Sequence, residues 1–234
     1  MIDIDLHRAV FVNILREIYS DLILRSCLGF KGGSAAMFFY QLPRFSVDLD
    51  FDLLGREKKA AVFDRMKQIL PRFGNLIQAK DKKFTLFFLL SYKKGLRQLK
   101  IEISKRPGNA DYVPKNHLGI SMLVMKKQDM AAGKLSALLT RKRFAPRDVF
   151  DLWFFLQNHW EINQKVLKEK TEMSLTQALN KAKKQLKGVK GSELLAGLGE
   201  LLDNKQKSWV REKLVAETLF QLRLYQEIHR KPAP

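Results

Sequence analysis

The chain has 234 residues, 46% of them hydrophobic, and a formal net charge of +19. This composition excludes wholesale disorder, and the length suits one large domain or two small ones. The single cysteine cannot form an intrachain disulfide, and there is neither a signal-peptide core nor an apolar run long enough to span a bilayer, so we expect a cytoplasmic protein without a membrane segment.

The first predicted element is a helix from Asp5 to Arg25, where apolar residues recur at the spacing of one helix face. His7 lies near its start, where we expect a capping or solvent-exposed imidazole rather than a ligand. A short strand over residues 28–31 follows and leads into a glycine turn. The next element is a short helix from Ala35 to Gln41.

The glycine turn contains Gly32, Gly33 and Ser34. Glycine permits a tight turn, and serine is a favourable N-cap for the helix that follows. Because the free N–H groups at a helix N-terminus attract anions, we expect this turn to bind the phosphates of a nucleotide.

The segment from Val47 to Leu53 alternates apolar and acidic residues, so Asp48, Asp50 and Asp52 share one face of a strand. Neighbouring carboxylates repel one another, and a hard divalent cation such as Mg²⁺ or Mn²⁺ removes that repulsion. A phosphate-binding turn before a metal-binding strand indicates a nucleoside triphosphate with its metal ion. Asp48 and Asp50 are the predicted ligands, and Asp52 is expected at the margin.

The middle of the chain alternates a helix with several strands. A helix is predicted over residues 57–70, and strands over 75–80, 84–92, 97–104 and 120–125. Gly95 lies in a turn that makes a hairpin of the second and third strands. Residues 105–119 contain two prolines and two glycines and are interpreted as a loop between subdomains.

The spacing of Gly33-Ser34, thirteen residues and then Asp48-Leu49-Asp50 resembles the signature of the polymerase-beta-like nucleotidyltransferase superfamily. The longer sequence around this signature, residues 30–34 followed by residues 44–51, is similar to that of one branch of the superfamily, the AbiEii/AbiGii-type nucleotidyltransferase toxins. The resemblance implies an α+β fold in which a mixed-sheet nucleotidyltransferase core, flanked by helices, precedes a helical C-terminal domain.

The resemblance also implies a third metal-binding carboxylate on a later strand. Glu102 is the candidate, since it alternates with Ile101 and Ile103 in the last strand of the hairpin. The alternative for Glu102 is a surface glutamate on an exposed strand face.

Two helices are predicted after the core, one over residues 128–141 and one after Pro146. Their Lys-Leu-x-Ala-Leu-x-x-Arg and Arg-Asp-x-x-Asp-Leu motifs also resemble the toxin family. The resemblance implies that Lys134 neutralises triphosphate charge and that Asp148 acts as a base or orients a basic partner, a role open to Asp151 as well. The alternative is an interhelical salt bridge, whose members would be Arg141, Arg147, Asp148 and Asp151.

These motifs divide the chain into two domains. The resemblance implies that residues 1–126 form the nucleotidyltransferase core with its N-terminal helix, and that residues 127–234 form a helical domain that contributes Lys134 and Asp148. The helical domain is predicted to end in a helix from Ser208 to Ile228.

The positive charge is concentrated in two regions. Residues 81–143 hold fifteen Lys or Arg against four Asp or Glu, and residues 165–234 hold fifteen against eight. Such a field favours a polyanion, and we expect nucleic acid, although a basic solubility coat is the alternative. By resemblance, the acceptor of the nucleotide is RNA, notably the 3′ end of tRNA, and the enzyme works beside a separate antitoxin protein.

Two other functions stay open. The first is transfer of a nucleotide to a protein or a small molecule. The second is a catalytically silent module that binds nucleic acid or contacts an antitoxin.

Overall fold

The computed structural model describes residues 2–229, which divide into two compact units. Unit 1 consists of residues 2–107 and 111–125. Unit 2 consists of residues 108–110 and 126–229.

Unit 1 is built from a mixed sheet and helices. Its described helices and strands, in chain order, are α1 (Ile4–Ser20), α2 (Leu22–Cys27), β1 (Leu28–Lys31), α3 (Gly32–Tyr40), β2 (Asp48–Leu53), α4 (Lys59–Ile69), β3 (Asn75–Lys82), β4 (Thr85–Ser91), β5 (Leu99–Ser104), β6 (Tyr112–His117) and β7 (Ile120–Met125). Short 3₁₀ segments lie on both sides of α4.

The strands form one sheet in the order β3-β4-β5-β2-β1-β7-β6. β2 pairs in parallel with β5, and β1 with β7, whereas the other neighbours are antiparallel. One face of the sheet is apolar, and helix α4 packs on it through Phe63, whose ring centroid lies 5.4 Å from that of the buried Phe88. The polar side chains of the central strands lie on the opposite face.

The sequence pattern predicts one continuous N-terminal helix, but the structure has two helices, separated at Asp21. The Asp21 carboxylate accepts hydrogen bonds from the backbone N–H groups of Ile23 and Leu24 and so caps a second helix, α2. An aspartate competes well for the backbone in this way, which is why it favours helix starts over helix interiors.

The interpretation of residues 105–119 as a loop is wrong, because β6 lies within them and contains Pro114. β6 is the last strand of the sheet order, so one side of its backbone has no strand neighbour. Proline, which lacks an N–H donor, is tolerated in such an edge strand.

His7 is buried in the apolar interior of unit 1, which contradicts the expectation of a capping or exposed imidazole. Its Nδ1 lies 2.6 Å from the Tyr92 hydroxyl, and its Nε2 lies 3.2 Å from the carbonyl oxygen of Val47. The rings of Phe11 and Phe45 pack against it. His7 therefore anchors the residue that precedes the aspartates of β2.

Unit 2 is helical in its described part. Its α-helices are α5 (Lys127–Thr140), α6 (Pro146–Gln157), α7 (Gln164–Thr171), α8 (Leu175–Leu186) and α9 (Asn204–Ile228), and two short 3₁₀ turns lie between α8 and α9. Ser174 and Asp203 cap α8 and α9 through capping boxes, because each is followed three residues later by a glutamine. Among residues 2–229, the structure contains no helix long and apolar enough to cross a membrane.

Candidate active site

Strand β2 presents its aspartates on one face of the sheet. Asp48, Asp50 and Asp52 are partly exposed, whereas Leu49 and Phe51 between them are buried. This is the arrangement that the alternating sequence predicts for a strand with one covered face.

Glu102 joins these aspartates because β5 pairs in parallel with β2. In this register Asp50 lies opposite Glu102, and Asp48 lies opposite Lys100. Residues opposite each other on adjacent strands share a sheet face. We call Asp48, Asp50, Asp52 and Glu102 the carboxylate face.

Two lysines compensate part of the negative charge of the carboxylate face. Lys100 Nζ lies 3.1 Å from Asp48 Oδ2 and 3.5 Å from Glu102 Oε2. Lys31 Nζ lies 2.5 Å from Asp52 Oδ1. The four carboxylates of the face thus outnumber these two lysines.

Asp52 is engaged by protein groups at both carboxylate oxygens. Lys31 contacts Oδ1, and the hydroxyl of Tyr112 donates a hydrogen bond to Oδ2. The same tyrosine ring covers Gly29, where a Cβ would come within 2.2 Å of it. Asp52 therefore has less capacity for a bound cation than its neighbours on the strand.

The environment of the carboxylate face shifts the pKa values of Asp50 and Lys100. Burial raises the pKa of Asp50, and the charges of Asp48 and Glu102 raise it further, against the opposing effect of Lys31 and Lys100. Burial by itself would lower the pKa of Lys100, but the surrounding carboxylates outweigh it and raise that pKa. The carboxylates of Asp48, Glu102 and Asp50 therefore favour the charged form of Lys100.

The chemistry of the carboxylate face fits a hard divalent cation such as Mg²⁺ or Mn²⁺. Asp48, Asp50 and Glu102 offer only carboxylate oxygens, the donors that such ions prefer. Over the described residues, no three His, Cys, Asp or Glu side chains are gathered closely enough to hold one ion. Instead, the Lys100 ammonium lies between Asp48 and Glu102, where it balances part of their charge.

The glycine turn lies directly beside these carboxylates. Gly32 has a φ of +78°, and a Cβ at this position would come within 2.6 Å of Asp50 Oδ2. Both the backbone conformation and the close approach require glycine. The N-terminus of α3 is therefore adjacent to Asp50.

The prediction that Ser34 is the N-cap of this helix is wrong. Helix α3 begins at Gly32, so its N-cap is Lys31, whose side chain makes no capping hydrogen bond. Ser34 lies in the first turn, is buried, and donates its hydroxyl proton to the carbonyl oxygen of Asp48. Ser34 thus ties α3 to β2, and its backbone N–H belongs to the first turn, where helices lack internal acceptors.

A buried arginine adds positive charge at this helix N-terminus. A Cβ at Gly33 would lie 2.7 Å from Nη2 of Arg44 and 2.8 Å from Oγ of Ser46. The Arg44 side chain is 5% exposed, and its Nη1 donates to the carbonyl oxygen of Phe45 at 2.9 Å. A side chain at position 33 would collide with the guanidinium group, so only glycine fits there without a shift of Arg44 or Ser46.

Unit 2 holds the other predicted site residues in a buried ion cluster, which consists of Lys134, Arg141, Asp148 and Asp151. Lys134 Nζ lies 2.9 Å from Asp148 Oδ1 and 2.7 Å from Asp151 Oδ2. Arg141 Nε lies 2.8 Å from Asp148 Oδ2. Both aspartates are fully buried. Of the residues expected as the alternative to form an interhelical salt bridge, Arg141, Asp148 and Asp151 therefore do so, and Lys134 belongs to it as well.

Sequence reasoning assigned no role to Lys31, Lys100 or Arg44. Lys100 precedes Glu102 by two residues in an alternating strand, so period two alone could have placed both on one face. Arg44 carried no such signal, because its approach to Gly33 results from the fold of the loop between α3 and β2.

The sequence matches the family model described as nucleotidyl transferase AbiEii toxin, type IV TA system, over residues 13–224. The chain belongs to this AbiEii family. The resemblance seen in the glycine turn and the aspartate strand is thereby confirmed. No curated protein is significantly similar in sequence.

Two crystal structures from Helicobacter pylori have a similar fold. One is described as a nucleotidyltransferase, with a TM-score of 0.58, 21% identity, and coverage of 96% of this chain and 97% of that chain. The other is JHP933, with a TM-score of 0.56, 20% identity and 97% coverage of both chains.

An antigenic nucleotidyltransferase-like protein from Paracoccidioides brasiliensis has a TM-score of 0.51 at 12% identity, over 88% of this chain and 97% of that chain. At these identities the likeness concerns the fold. The predicted α+β architecture, a nucleotidyltransferase mixed sheet with flanking helices and a helical C-terminal part, is confirmed for this AbiEii-family chain.

Proposed function

We propose that this protein transfers a nucleoside monophosphate from a nucleoside triphosphate to RNA, with the 3′ end of tRNA as the acceptor, and that it is the toxin of a toxin–antitoxin system. One observation carries the proposal. The carboxylates of Asp48, Asp50 and Glu102 share one sheet face that adjoins the N-terminus of α3 at Gly32.

Asp48, Asp50 and Glu102 are the residues that would hold two divalent ions, Mg²⁺ or Mn²⁺. When bound there, one ion would supply positive charge to the triphosphate, and the other would lower the pKa of an attacking hydroxyl group. Lys100 can move aside, because a lysine ammonium on a flexible stem readily exchanges one anionic partner for another.

The N-terminus of α3 would bind the phosphates of the triphosphate. Gly32, Gly33 and Ser34 present backbone N–H groups of the first helical turn, which attract anions. The Arg44 guanidinium beside Gly33 adds a fixed positive charge. A hydroxyl of the acceptor attacks the α-phosphorus, and pyrophosphate leaves in line, so the protein contributes mainly positioning and charge stabilisation.

The residues of the buried ion cluster keep a proposed role toward the triphosphate. Lys134 is proposed to neutralise phosphate charge. Asp148 is proposed to orient the Lys134 side chain through their ion pair, in which Nζ lies 2.9 Å from Oδ1. In this proposal Asp148 is a positioning residue, because a fully buried carboxylate held by two cations cannot readily reach a substrate.

The net charge of +19 supports RNA as the acceptor, because a small neutral acceptor would not require such a field. The match to a family described as a type IV toxin supports a partner antitoxin.

The test is incubation of the protein with total cellular RNA, Mg²⁺ and each radiolabelled nucleoside triphosphate in turn. The proposal expects label on one RNA size class with one nucleotide, and no label with Asp48→Ala. Label on a protein band would instead indicate a protein acceptor. Absence of labelled product together with absence of Mg²⁺-dependent triphosphate binding would indicate a catalytically silent module.

A further inference from the structure

The carboxylate face continues beyond β5 onto β4 and β3. Glu102 lies opposite Phe87 of β4, and Phe87 lies opposite Lys80 of β3. Asp50, Glu102, Phe87 and Lys80 therefore form one row across four adjacent strands. Since adjacent strands are about 4.8 Å apart, the Phe87 backbone lies roughly 10 Å from that of Asp50.

Two phenylalanine rings on this part of unit 1 lie under cationic groups. Phe87 is half-buried, and Lys82 Nζ lies 3.5 Å from its ring centroid. Phe84, in the turn between β3 and β4, is 46% exposed. Lys83 Nζ and Arg106 Cζ lie 5.2 Å and 4.8 Å from its centroid.

The acidic residue of this hairpin, Asp81, does not cancel the positive charge around Phe87. Asp81 lies opposite Leu86, a buried residue, and so belongs to the other face of the sheet. There it is paired with Lys59 at 2.8 Å and with Lys105.

We infer that Phe84 and Phe87, together with Lys80, Lys82 and Arg106, bind a single-stranded nucleic acid whose end reaches the carboxylate face. This inference rests on the proposed function, and it adds how the acceptor is held. Proteins that bind single strands combine cations that follow the phosphates with aromatic rings on which bases stack. A duplex keeps its bases stacked inside and offers the rings nothing equivalent.

The cations above the rings are compatible with this use. Lysine and arginine side chains can exchange a ring for a neighbouring phosphate, because both partners attract a cation. An acidic peptide would satisfy the lysines and Arg106 but would leave the two rings without flat partners.

The test measures binding of a short fluorescent single-stranded RNA to the full-length protein. Phe87→Leu keeps a side chain of strand-compatible, apolar character and removes the ring, so we expect the Kd to rise about tenfold, as for the removal of one base–aromatic stack. Phe84→Ala, at an exposed turn where folding depends little on the side chain, should give a rise of similar size.

Phe63→Leu is the matched control. Phe63 is also half-buried and lies under a lysine, with Lys67 Nζ 5.7 Å from its centroid, but it belongs to helix α4 on the covered face. Its Kd for the RNA should equal that of the wild type. Equal affinities of wild type, Phe87→Leu and Phe84→Ala would overturn the inference.

The salt dependence of RNA binding distinguishes base stacking on the rings from nonspecific attraction to a positively charged surface. The phenylalanine variants should keep the log–log salt slope of the wild type, because they neutralise the same number of phosphates. Lys80→Gln combined with Lys82→Gln should reduce the slope by roughly 0.7 for each phosphate that is no longer neutralised. A duplex or polyglutamate that competes as well as the unlabelled single strand would also overturn the inference.

The proposed function is tested separately by Mg²⁺-dependent triphosphate binding without RNA. If the wild type binds triphosphate but Phe87→Leu does not change RNA affinity, only the stacking inference fails. If the wild type binds no triphosphate, the proposed function fails, whatever the RNA titrations give.

Discussion

The carboxylate face of unit 1 and the buried ion cluster of unit 2 use the same side-chain types in opposite proportions. The carboxylate face has four acidic groups against two lysines and is partly exposed. The buried ion cluster has two aspartates against one lysine and one arginine, with both aspartates fully buried. The acidic groups thus outnumber the lysines on the carboxylate face, whereas acidic and basic groups are equal in number in the buried ion cluster.

This difference separates the proposed cation site from a cluster that supports the fold. An excess of partly exposed carboxylates destabilises the protein by itself and is relieved by a bound ion. A buried pair, in contrast, becomes strongly unfavourable when one partner is removed, because the remaining charge lacks both water and a counterion. Removing a charge should thus have opposite consequences for stability in the two places.

The largest effect is expected from Asp48→Ala or Asp50→Ala, which should reduce nucleotide transfer at least about a hundredfold, as for the loss of a group that stabilises developing charge. Thermal stability should be unchanged or slightly higher, because repulsion on the carboxylate face is relieved. The measurement is incorporation of labelled nucleotide, together with the melting temperature. Asp52→Asn, on the same strand, should have a much smaller effect on transfer. Near-normal turnover of either alanine variant would contradict the proposed metal-ligand role.

Lys134→Ala should lower the free energy of unfolding by about 3 kcal/mol, because it removes a cation from two buried carboxylates. It should also weaken triphosphate binding, and Lys134→Arg should restore both properties only in part, since the two cations differ in shape. Chemical denaturation and triphosphate titration measure the two effects.

The control for Lys134 is Lys142→Ala, an exposed lysine just after α5, which should change neither quantity. A Lys134→Ala protein with unchanged triphosphate affinity would remove this lysine from the proposed nucleotide site, whatever its stability.

Lys100→Gln should increase the stabilisation by Mg²⁺. Without the ammonium near Asp48 and Glu102, the carboxylate face has a larger excess of negative charge and should bind the divalent ion more tightly. Stabilisation by a ligand grows with its concentration relative to Kd, and a tenfold lower Kd corresponds to about 1.4 kcal/mol at saturating ion. Melting temperatures with Mg²⁺ and with EDTA give the comparison. Lys94→Gln, an exposed lysine in the turn before β5, should respond to Mg²⁺ as the wild type does.

The smallest effect concerns pH and involves a buried group outside both clusters. Burial lowers the pKa of His7 below its ordinary value of 6.5. The unfolded chain therefore binds this proton more readily than the folded protein, and the contribution of neutral His7 to stability is lost as pH falls from 6.5 through the folded pKa. Unfolding free energies measured from about pH 8 down to about pH 5, the range in which histidine titrates, should decline on acidification.

His7→Gln should flatten that decline. His117→Gln should flatten it less, because the His117 imidazole is only half-buried, although burial lowers its pKa as well. An identical pH slope in the wild type and in His7→Gln would show that His7 is not the group that titrates.

The elements could be predicted from the sequence where one local period dominates. The strands β2, β4 and β5 follow from period two, and α5 and α6 follow from helical spacing with a proline at the start of α6. The break of the first helix did not show in this way, because the apolar spacing continues across Asp21, although its capping partners Ile23 and Leu24 are close in the chain. Strand β6 did not show either, because a proline is tolerated there only at the edge position that the sheet order gives it.

The identity of the family was also readable from the sequence, because the glycine turn and the aspartate strand lie close together in the chain. The environment of Ser34, in contrast, could not be predicted from the sequence. Its position inside α3 depends on where β1 ends, and its hydrogen bond joins it to Asp48, fourteen residues later.

The sequence by itself determined that Asp48, Asp50 and Asp52 share a face, because alternation is a property of any extended backbone. It also determined that glycine lies at the start of α3, where φ is positive at Gly32. Only the tertiary structure decided which side chains from other strands lie beside those aspartates. Lys100 opposes Asp48, and Phe87 opposes Glu102, because the register between strands is set by packing of their buried faces and turns.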